Sequence, residues 1–323
     1  MHYAKLGPLD RVSRLTLGGG GLGRIWGETS IEEAIATVHA AVEAGITLID
    51  TAPMYRDCEA VIGEAFTGAL PAGVRITTKC QLGAAPSGET AGRLAASLDA
   101  SLAAMRLGRV DVFFLHSNIR PDDYVYANYD HRKDRFSTPW RTYANEVVPA
   151  MEALKAAGRI GAWGVTGVGV PTAILEAIAF EPAPDVVQAV TNLMDSAGGM
   201  RNYEEPACPR DIIAAAQARG AGVMGIRAVQ AGALTSAIDR ALKPDHPEVA
   251  DFERAAPFRA LCAELGADPA AIAHRYALDM AGVDTVILGV KNRAELRQCL
   301  DAEAEGPLSA DITARIDGLG LRL

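Results

Sequence analysis

Residues 45–66 read GITLIDTAPMYRDCEAVIGEAF, and this stretch decides how the rest of the chain is interpreted. Residues 46–49 are rich in β-branched side chains and too short for a helix, Pro53 excludes a helix through the next loop, and a helical pattern resumes at Glu59. The pattern predicts a buried strand, a loop and a helix, with Asp50 at the carboxyl end of the strand. A buried carboxylate must be paired or face a cleft, because an isolated buried charge is strongly unfavourable.

Two further apolar strands end on polar residues in the same way, one on Lys79 and one on His116. If the three strands are parallel neighbours, their ends meet at one face of a sheet, where Asp50, Lys79 and His116 converge with Tyr55 from the adjoining loop. A tyrosine has a pKa of about 10 and needs a nearby cation to release its proton near neutrality. We expect Lys79 to lower the pKa of Tyr55, and Asp50 to keep Lys79 charged.

The composition restricts the class of protein. The 323 residues are 49% hydrophobic, which predicts a single catalytic domain over residues 1–323 with a substantial core. A net charge of −9 argues against nucleic acid or a membrane surface as the partner. The chain has neither a long apolar run nor the pattern of a signal peptide, which predicts a cytoplasmic protein. Its 5 cysteines lack the spacing of a metal site and are expected to be reduced.

On both sides of residues 45–66, predicted strands and helices alternate along the chain. Strand starts are predicted at Leu15, Ile46, Val74, Val110, Ile160, Asp185, Val223 and Thr285. This alternation favours an α/β fold of the (β/α)8 TIM barrel type, whose active sites lie at the carboxyl ends of the strands. The remaining length is assigned to an N-terminal β-hairpin before residue 17, to irregular long loops after strands 4 and 7 (residues 117–143 and 228–266), and to a C-terminal helix.

Residues 18–23 read GGGGLG and match the dinucleotide fingerprint G-x-G-x-x-G. In that motif the helix begins at the last glycine, so that its amino terminus meets the pyrophosphate. Here the helix signal comes later, at a capping box formed by Ser30 and Glu33. The favoured interpretation is a flexible loop that permits close backbone approach, and a Rossmann site is the alternative.

The chain resembles members of the aldo-keto reductase superfamily, which are NAD(P)-dependent enzymes on a (β/α)8 barrel. The resemblance covers nearly the whole length and is carried by Asp50-Thr51-Ala52 with Tyr55, Lys79 after Thr77-Thr78, Leu115-His116, Gly164-Val165-Thr166, Gln188 with Asn192 and Leu193, Gly232 with Leu234, and Gly289. It implies a catalytic tetrad of Asp50, Tyr55, Lys79 and His116. It further implies that a hydride passes from nicotinamide to a carbonyl carbon while Tyr55 protonates the oxygen and His116 orients the carbonyl.

The same resemblance implies a binding site for the nicotinamide end of the cofactor. Gln188 and Thr166 match positions that contact the nicotinamide carboxamide, although Gly167 replaces the asparagine that usually follows Thr166. After strand 7, Ile226 and Arg227 occupy the place where the family often has an aromatic residue that stacks on the ring. We therefore expect an apolar contact there.

The adenosine end is predicted from the turn after strand 8. Gly289 leads into a turn in which Lys291 and Arg293 flank Asn292, the predicted N-cap of a helix. These cations suit an adenosine 2′-phosphate, so NADP is predicted as the cofactor, with NAD as the alternative. A solvated basic turn is the other interpretation. Gln298-Cys299 replaces the Glu-Asn pair with which the family usually holds the adenine.

The substrate is predicted to be a small carbonyl compound or sugar. Its predicted walls are Trp26, Met54 and the aromatic residues of one segment: Tyr124, Tyr126, Tyr129, Phe136, Trp140 and Tyr143. A self-packed loop is the alternative for this segment. Besides a reductase, two functions stay open: an aldose or lactol dehydrogenase working in the oxidative direction, and a cofactor-binding regulatory subunit with negligible turnover. The sequence does not predict the oligomeric state.

Overall fold

The computed structural model describes residues 1–322, in which eight parallel strands close into one barrel. The strands are β1 (Leu15–Gly18), β2 (Leu48–Asp50), β3 (Arg75–Cys80), β4 (Val110–Leu115), β5 (Ile160–Gly167), β6 (Val186–Val190), β7 (Gly222–Ile226) and β8 (Thr285–Leu288). Each pairs with its neighbours in the chain, and β8 closes on β1 with Ile287 opposite Thr16. The predicted (β/α)8 barrel is confirmed.

The main helices surround this barrel, and four of them begin after a residue whose side chain caps the helix: Ser30, Asp268, Asn292 and Ser309. They are α1 (Ile31–Glu43), α2 (Cys58–Phe66), α3 (Thr90–Met105), α4 (Val148–Ala156), α5 (Pro171–Ala179), α6 (Pro209–Ala218), α7 (Pro269–Asp279), α8 (Arg293–Ala304) and α9 (Ala310–Asp317). The Ser30 side chain accepts a hydrogen bond of 3.1 Å from the Glu33 amide, and Ser309 accepts one from Ile312 at 3.3 Å. Such caps satisfy amides that have no partner within the helix.

A β-hairpin closes the amino-terminal end of the barrel. Its strands are Tyr3–Leu6 and Leu9–Ser13, so the second strand begins earlier than predicted and the turn is shorter. Gly7 adopts φ +53° in this turn, and a side-chain carbon there would lie only 2.4 Å from the carbonyl oxygen of Asp185. Leu6 packs into the apolar barrel interior. Because the hairpin closes this end, the carboxyl ends of the strands are left for a site.

The two long inserts contain more regular structure than predicted. After β4, Asn118–Arg120 pairs in parallel with Ser137–Pro139, and two short helical turns, Asp130–Arg132 and Lys133–Phe136, lie between them. After β7, helices form over Pro247–Arg254 and Ala256–Glu264. The long segments predicted after strands 4 and 7 are therefore present, but they are not irregular throughout. Prolines in the second insert occupy first-turn positions, where a helix tolerates them because that amide needs no partner.

Candidate active site

The glycine-rich segment after β1 packs against the loops after β2 and β8. It forms a buried single-turn helix, Gly19–Leu22, so the prediction of a flexible loop was wrong. Close backbone approach is confirmed, because a side-chain carbon at Gly23 would lie 1.8 Å from the carbonyl oxygen of Tyr55, and one at Gly21 would lie 2.0 Å from that of Val290. Glycine at these two positions therefore lets the loops after β2 and β8 pack directly on this turn.

Asp50 and Lys79 form a buried ion pair at the ends of β2 and β3. The Nζ atom of Lys79 lies 2.6 Å from Oδ2 of Asp50 and donates a second hydrogen bond, of 2.9 Å, to the carbonyl oxygen of Thr51. Thr77 donates to the other carboxylate oxygen at 2.7 Å. Loss of one partner of such a pair costs about 3–5 kcal/mol, because the remaining charge stays buried. The pair is thus fixed in place by both charge and hydrogen bonds.

Tyr55 and His116 lie beside this pair. The Nζ atom of Lys79 is 3.3 Å from the Tyr55 hydroxyl oxygen and 4.7 Å from the centre of the ring. The rings of Tyr55 and His116 meet edge to face with their centroids 5.9 Å apart. The structure therefore brings together all four residues predicted for catalysis, from the ends of three neighbouring strands and the loop after β2.

The pKa values of Lys79 and Tyr55 depend on burial and on each other. Burial lowers the pKa of Lys79, but the neighbouring Asp50 and Tyr55 outweigh it, so the pKa is raised and the lysine stays charged. Burial raises the pKa of Tyr55; Lys79 lowers it and Asp50 raises it, with a net increase. Lys79 acts in the predicted direction, but the expected net lowering was wrong because burial is the larger effect. Tyr55 is therefore a protonated phenol at neutral pH.

His116 is neutral in this environment. Burial, with a smaller contribution from the charge on Lys79, lowers the pKa of His116 to about 3. Its Nδ1 atom is buried and has no hydrogen-bond partner within residues 1–322. A neutral imidazole has one N–H donor. The ring can therefore donate a hydrogen bond without adding a second cation next to Lys79.

The predicted carboxamide ligands border this tetrad. Gln188 and Thr166 are opposite one another on β6 and β5. The Gln188 amide donates to Oδ1 of Asp50 at 2.7 Å, and the Thr166 hydroxyl donates to the carbonyl oxygen of His116 at 3.3 Å. Within residues 1–322 the Oε1 atom of Gln188 forms no hydrogen bond, which leaves an acceptor that suits a carboxamide N–H. This donor and acceptor set fits the nicotinamide end of a cofactor.

The turn after β7 is polar and conformationally strained. Arg227 and Gln230 have positive φ values of 61° and 46°, which non-glycine residues rarely adopt. Arg227 donates to Oε1 of Gln230 at 2.8 Å and to Oε1 of Glu248 at 2.6 Å. Arg227 is thus paired with a carboxylate of the inserted helix Pro247–Arg254, and its predicted contact with a cofactor stays a prediction. Ile226 is half-buried against apolar neighbours and suits an apolar contact.

The start of α8 has the predicted cap. Oδ1 of Asn292 accepts a hydrogen bond of 2.9 Å from the Glu295 amide. Gly289 lies beside the indole of Trp26, since a side-chain carbon there would be 3.5 Å from that ring. Gln298 is exposed on α8. Trp26 thus neighbours the predicted adenosine side of the site, and its predicted contact with the substrate stays a prediction.

The two cations of this turn are already paired with carboxylates. Lys291 contacts Asp239 and lies 3.1 Å from Oε1 of Glu295. Arg293 donates two hydrogen bonds to Glu33, of 2.8 and 3.1 Å. An adenosine 2′-phosphate would therefore have to compete with these carboxylates for the cations. Their role in cofactor choice stays a prediction.

A cleft of about 510 Å³ adjoins the tetrad. Met54 directly precedes Tyr55 in the chain, and Gln81, two residues after Lys79, donates to the Ser117 hydroxyl at 3.3 Å. Two residues that line the cleft are thus neighbours in the chain of Tyr55 and Lys79, and the volume of the cleft is typical of ligand sites. We call it the tetrad cleft; its lining residues are Met54, Gln81, Tyr129, Arg132, Arg135, Phe136 and Asn202.

Trp140 lies elsewhere. It packs against Tyr143 and Phe180, with ring centroids 5.5 and 5.7 Å apart, and lines a second cleft of about 520 Å³. We call this the acidic cleft; its lining residues are Pro121, Asp122, Asp123, Tyr124, Trp140 and Glu176. Of the predicted substrate walls, the structure brings Met54, Tyr129 and Phe136 to the tetrad cleft. Most aromatic residues of the insert pack on one another, as the self-packed alternative expected.

The sequence interpretation missed four polar residues of the tetrad cleft: Gln81, Arg132, Arg135 and Asn202. A signal for two of them was present. Arg132, Arg135 and Phe136 have the i, i+3, i+4 spacing that places residues on one side of a helical turn. The segment was assigned as irregular, so this spacing was not used. Asn202, from the loop after β6, has no comparable signal.

Among the helices within residues 1–322, none combines the length and the apolar character needed to cross a membrane. The fold and the site define a (β/α)8 barrel with a buried Asp-Lys pair, a tyrosine and a histidine at the carboxyl ends of its strands. A profile of the Aldo/keto reductase family matches residues 14–320. The chain therefore belongs to the Aldo/keto reductase family.

Individual relatives are distant. The chain is 24% identical over 299 residues to L-galactose dehydrogenase from Arabidopsis thaliana, which covers 91% of this chain and 85% of that protein. It is 31% identical over 136 residues to methylglyoxal reductase YeaE from Escherichia coli (strain K12), covering 42% and 39%. The chain is thus similar to named dehydrogenases and reductases, with specificity left open.

Two solved structures share the fold. The glycerol dehydrogenase AKR11B4 from Gluconobacter oxydans has a TM-score of 0.71 at 21% identity and covers 98% of this chain and 94% of that one. The aldo-keto reductase AKR11C1 from Bacillus halodurans, in its holo form, has a TM-score of 0.71 at 19% identity and covers 99% and 96%. At this identity the likeness supports the fold alone.

Proposed function

We propose that the protein is an NAD(P)-dependent oxidoreductase that reduces a small aldehyde or ketone, with Tyr55 as the proton donor. One observation carries this proposal: the Nζ atom of Lys79 is 2.6 Å from the Asp50 carboxylate and 3.3 Å from the Tyr55 hydroxyl. Members of this family generally use a nicotinamide cofactor and act on small carbonyl compounds. When bound, the reduced nicotinamide would supply the hydride that adds to the carbonyl carbon.

Each tetrad residue has a role that its environment supports. Tyr55, protonated at neutral pH because burial raises its pKa, gives its proton to the carbonyl oxygen and later regains one from solvent. Lys79 stabilises the transient phenolate, and Asp50 keeps Lys79 charged and in place. His116 donates a neutral hydrogen bond that orients the carbonyl. General acid catalysis of this kind is typically worth 10²–10⁴-fold.

The proposed contacts form two groups, one at each end of the cofactor. Thr166, Gln188 and Ile226 would hold the nicotinamide end beside the tetrad, and Arg227 borders the same region. Gly289, Asn292 and the cations Lys291 and Arg293 would hold the adenosine end, with Gln298 on the exposed face of α8. The cations favour NADP, and NAD is the alternative because both are paired with carboxylates.

A second candidate is oxidation of an aldose or lactol, and similarity to L-galactose dehydrogenase favours it. Oxidation requires Tyr55 to accept the substrate proton as a phenolate. The raised pKa of Tyr55 opposes that role near neutral pH. A regulatory subunit without turnover, the third possibility, would not need the complete tetrad.

The test is to follow the absorbance of the reduced nicotinamide with purified protein and a panel of aldehydes, ketones and aldoses. NADPH and NADH are supplied in one direction, and NADP and NAD in the other. We expect faster carbonyl reduction than alcohol or aldose oxidation near neutral pH. Absence of turnover with every substrate, together with tight cofactor binding, would contradict the proposal and favour the regulatory subunit.

A further inference from the structure

The charged side chains of the insert after β4 fall into two groups: some are paired within the insert, and others line the tetrad cleft. Lys133 lies 3.2 Å from Asp130 and donates to the carbonyl oxygen of Tyr124. Asp134 accepts from Arg120 at 3.0 Å. These charges are satisfied within the insert itself, and their side chains do not line the tetrad cleft.

Arg132 and Arg135 are different. Both line the tetrad cleft and both are exposed, and within residues 1–322 neither guanidinium has an ion-pair or hydrogen-bond partner. Their spacing places them on the same side of consecutive helical turns, next to Phe136. The cleft is thus lined by two unpaired guanidinium groups.

These turns are held firmly in place. The Asp134 carbonyl oxygen accepts a hydrogen bond of 2.8 Å from the amide of Ala84, and the Phe136 carbonyl oxygen accepts one of 3.1 Å from Gln81. Thr138 donates to the carbonyl oxygen of Gly83 at 2.9 Å. The loop after β3 therefore anchors the backbone that carries both arginines. Because this backbone is already fixed, ligand binding does not have to order the segment.

The surroundings of the two arginines do not compensate their positive charge. None of the residues that line the tetrad cleft is acidic, although the chain carries a net charge of −9. Three other cations near the barrel mouth are paired: Arg227 with Glu248, Lys291 with Asp239, and Arg293 with Glu33. The tetrad cleft therefore combines unpaired positive charge on its wall with a lining residue, Met54, that directly precedes the proton donor in the chain.

We propose that the tetrad cleft selects carbonyl substrates that carry an anionic group, a carboxylate or a phosphate, and that Arg132 and Arg135 bind this group. A guanidinium presents N–H donors in a planar fork that matches both anions. The inference rests on the proposed function. In the same reduction, the carbonyl carbon gains a hydride, the oxygen gains the Tyr55 proton and the nicotinamide becomes oxidised. Phe136 and Met54 supply apolar contact for the carbon chain between the two ends.

The experiment compares substrates that differ only in the anionic group. Succinic semialdehyde is paired with butanal, and glyceraldehyde 3-phosphate with glyceraldehyde, so that the two pairs distinguish a carboxylate from a phosphate. The measurement is the ratio of kcat/KM for the anionic and the neutral member of each pair. We expect the wild-type ratio to exceed about ten for at least one pair.

Variants then assign this ratio to the arginines. In Arg132→Gln/Arg135→Gln the ratio should fall about tenfold or more, through a higher KM for the anionic member of the pair. Arg132→Lys/Arg135→Lys keeps the charge but loses the planar guanidinium, and should therefore retain part of the ratio. Arg141→Gln is the matched control, because Arg141 belongs to the same insert, is 84% exposed and pairs with Asp122. It should leave the ratio unchanged.

The outcomes separate this inference from the proposed function. A wild-type ratio near one for both pairs, or a ratio that the double glutamine variant does not change, overturns anion selection while the reductase assignment stands. If no carbonyl compound is reduced at all, the proposed function fails. Isothermal titration with glutarate and with inorganic phosphate then tests the cleft directly. Binding that weakens about tenfold in the double variant supports the anion site, and absence of binding overturns it.

Discussion

The tetrad cleft and the acidic cleft have nearly the same volume, about 510 and 520 Å³, but opposite charge. The first is lined by Arg132 and Arg135 without any carboxylate, and the second by Asp122, Asp123 and Glu176 without any cation. Only the first borders residues adjacent to a proton donor. The volume of a cleft therefore does not identify the site. The chemistry of the neighbouring side chains identifies it.

Both clefts are built largely from the insert after β4. Residues 121–124 and Trp140 line the acidic cleft, and residues 129–136 contribute to the tetrad cleft. Parallel pairing of Asn118–Arg120 with Ser137–Pro139 fixes the two ends of the insert side by side. The segment between them thereby contributes to the walls of both clefts.

The largest predicted effect tests which cleft holds the chemistry. Tyr55→Phe should lower carbonyl reduction by about 10²–10⁴-fold, because phenylalanine keeps the ring but has no proton to give. Cofactor affinity, measured by fluorescence titration, should hardly change. Tyr124→Phe, at the acidic cleft, is the matched control and should keep wild-type turnover. Wild-type turnover in Tyr55→Phe would remove this residue from the mechanism.

The next prediction concerns the cation beside the proton donor. Lys79→Met should lower reduction by about 10²-fold, and the pKa of Tyr55 should rise further because the cation that opposes burial is gone. Since reduction needs the protonated phenol, the alkaline loss of kcat should move to higher pH. An alkaline loss of kcat that stays at the wild-type pH in Lys79→Met would contradict this electrostatic account.

A third prediction contrasts an apolar residue from each cleft. Trp140→Ala should lower the free energy of unfolding by about 2–3 kcal/mol, because a half-buried indole loses its packing on Tyr143 and Phe180, and KM should not change. Met54, which is 55% exposed, should show the reverse when changed to alanine: little loss of stability and a higher KM for carbonyl substrates. Denaturant unfolding and steady-state kinetics measure both. A higher KM in Trp140→Ala would bring the acidic cleft back into consideration as a substrate site.

The smallest effect is expected at the paired cations. Lys291→Ala/Arg293→Ala should reduce the preference for NADP over NAD by about fivefold, a modest change because the phosphate must displace carboxylates that already pair with these groups. The measurement is the ratio of the two cofactor dissociation constants. Arg297→Ala is a suitable control, since Arg297 is exposed on α8 and pairs with Asp301. An unchanged ratio in the double variant would assign the preference to other residues.

The sequence alone predicted the barrel and the convergence of the tetrad. Strand ends on Asp50, Lys79 and His116 are local features, readable from short apolar runs, and parallel pairing of neighbours then requires the three side chains to meet. The N-caps at Ser30, Asn292 and Ser309 are equally local, because a capping bond joins residues only three apart. These features depend on a few adjacent residues, so they can be predicted without knowledge of the fold.

Only the tertiary structure decided the net pKa of Tyr55, the pairing of the predicted phosphate cations and the identity of the cleft walls. Burial of Tyr55 outweighs Lys79 because several elements enclose the site. Arg293 meets Glu33 across 260 residues of chain, and Arg132 and Arg135 reach the tetrad cleft because hydrogen bonds from the loop after β3 hold their turns. Such contacts are set by packing between distant segments, and no local pattern encodes which charges are paired and which stay free.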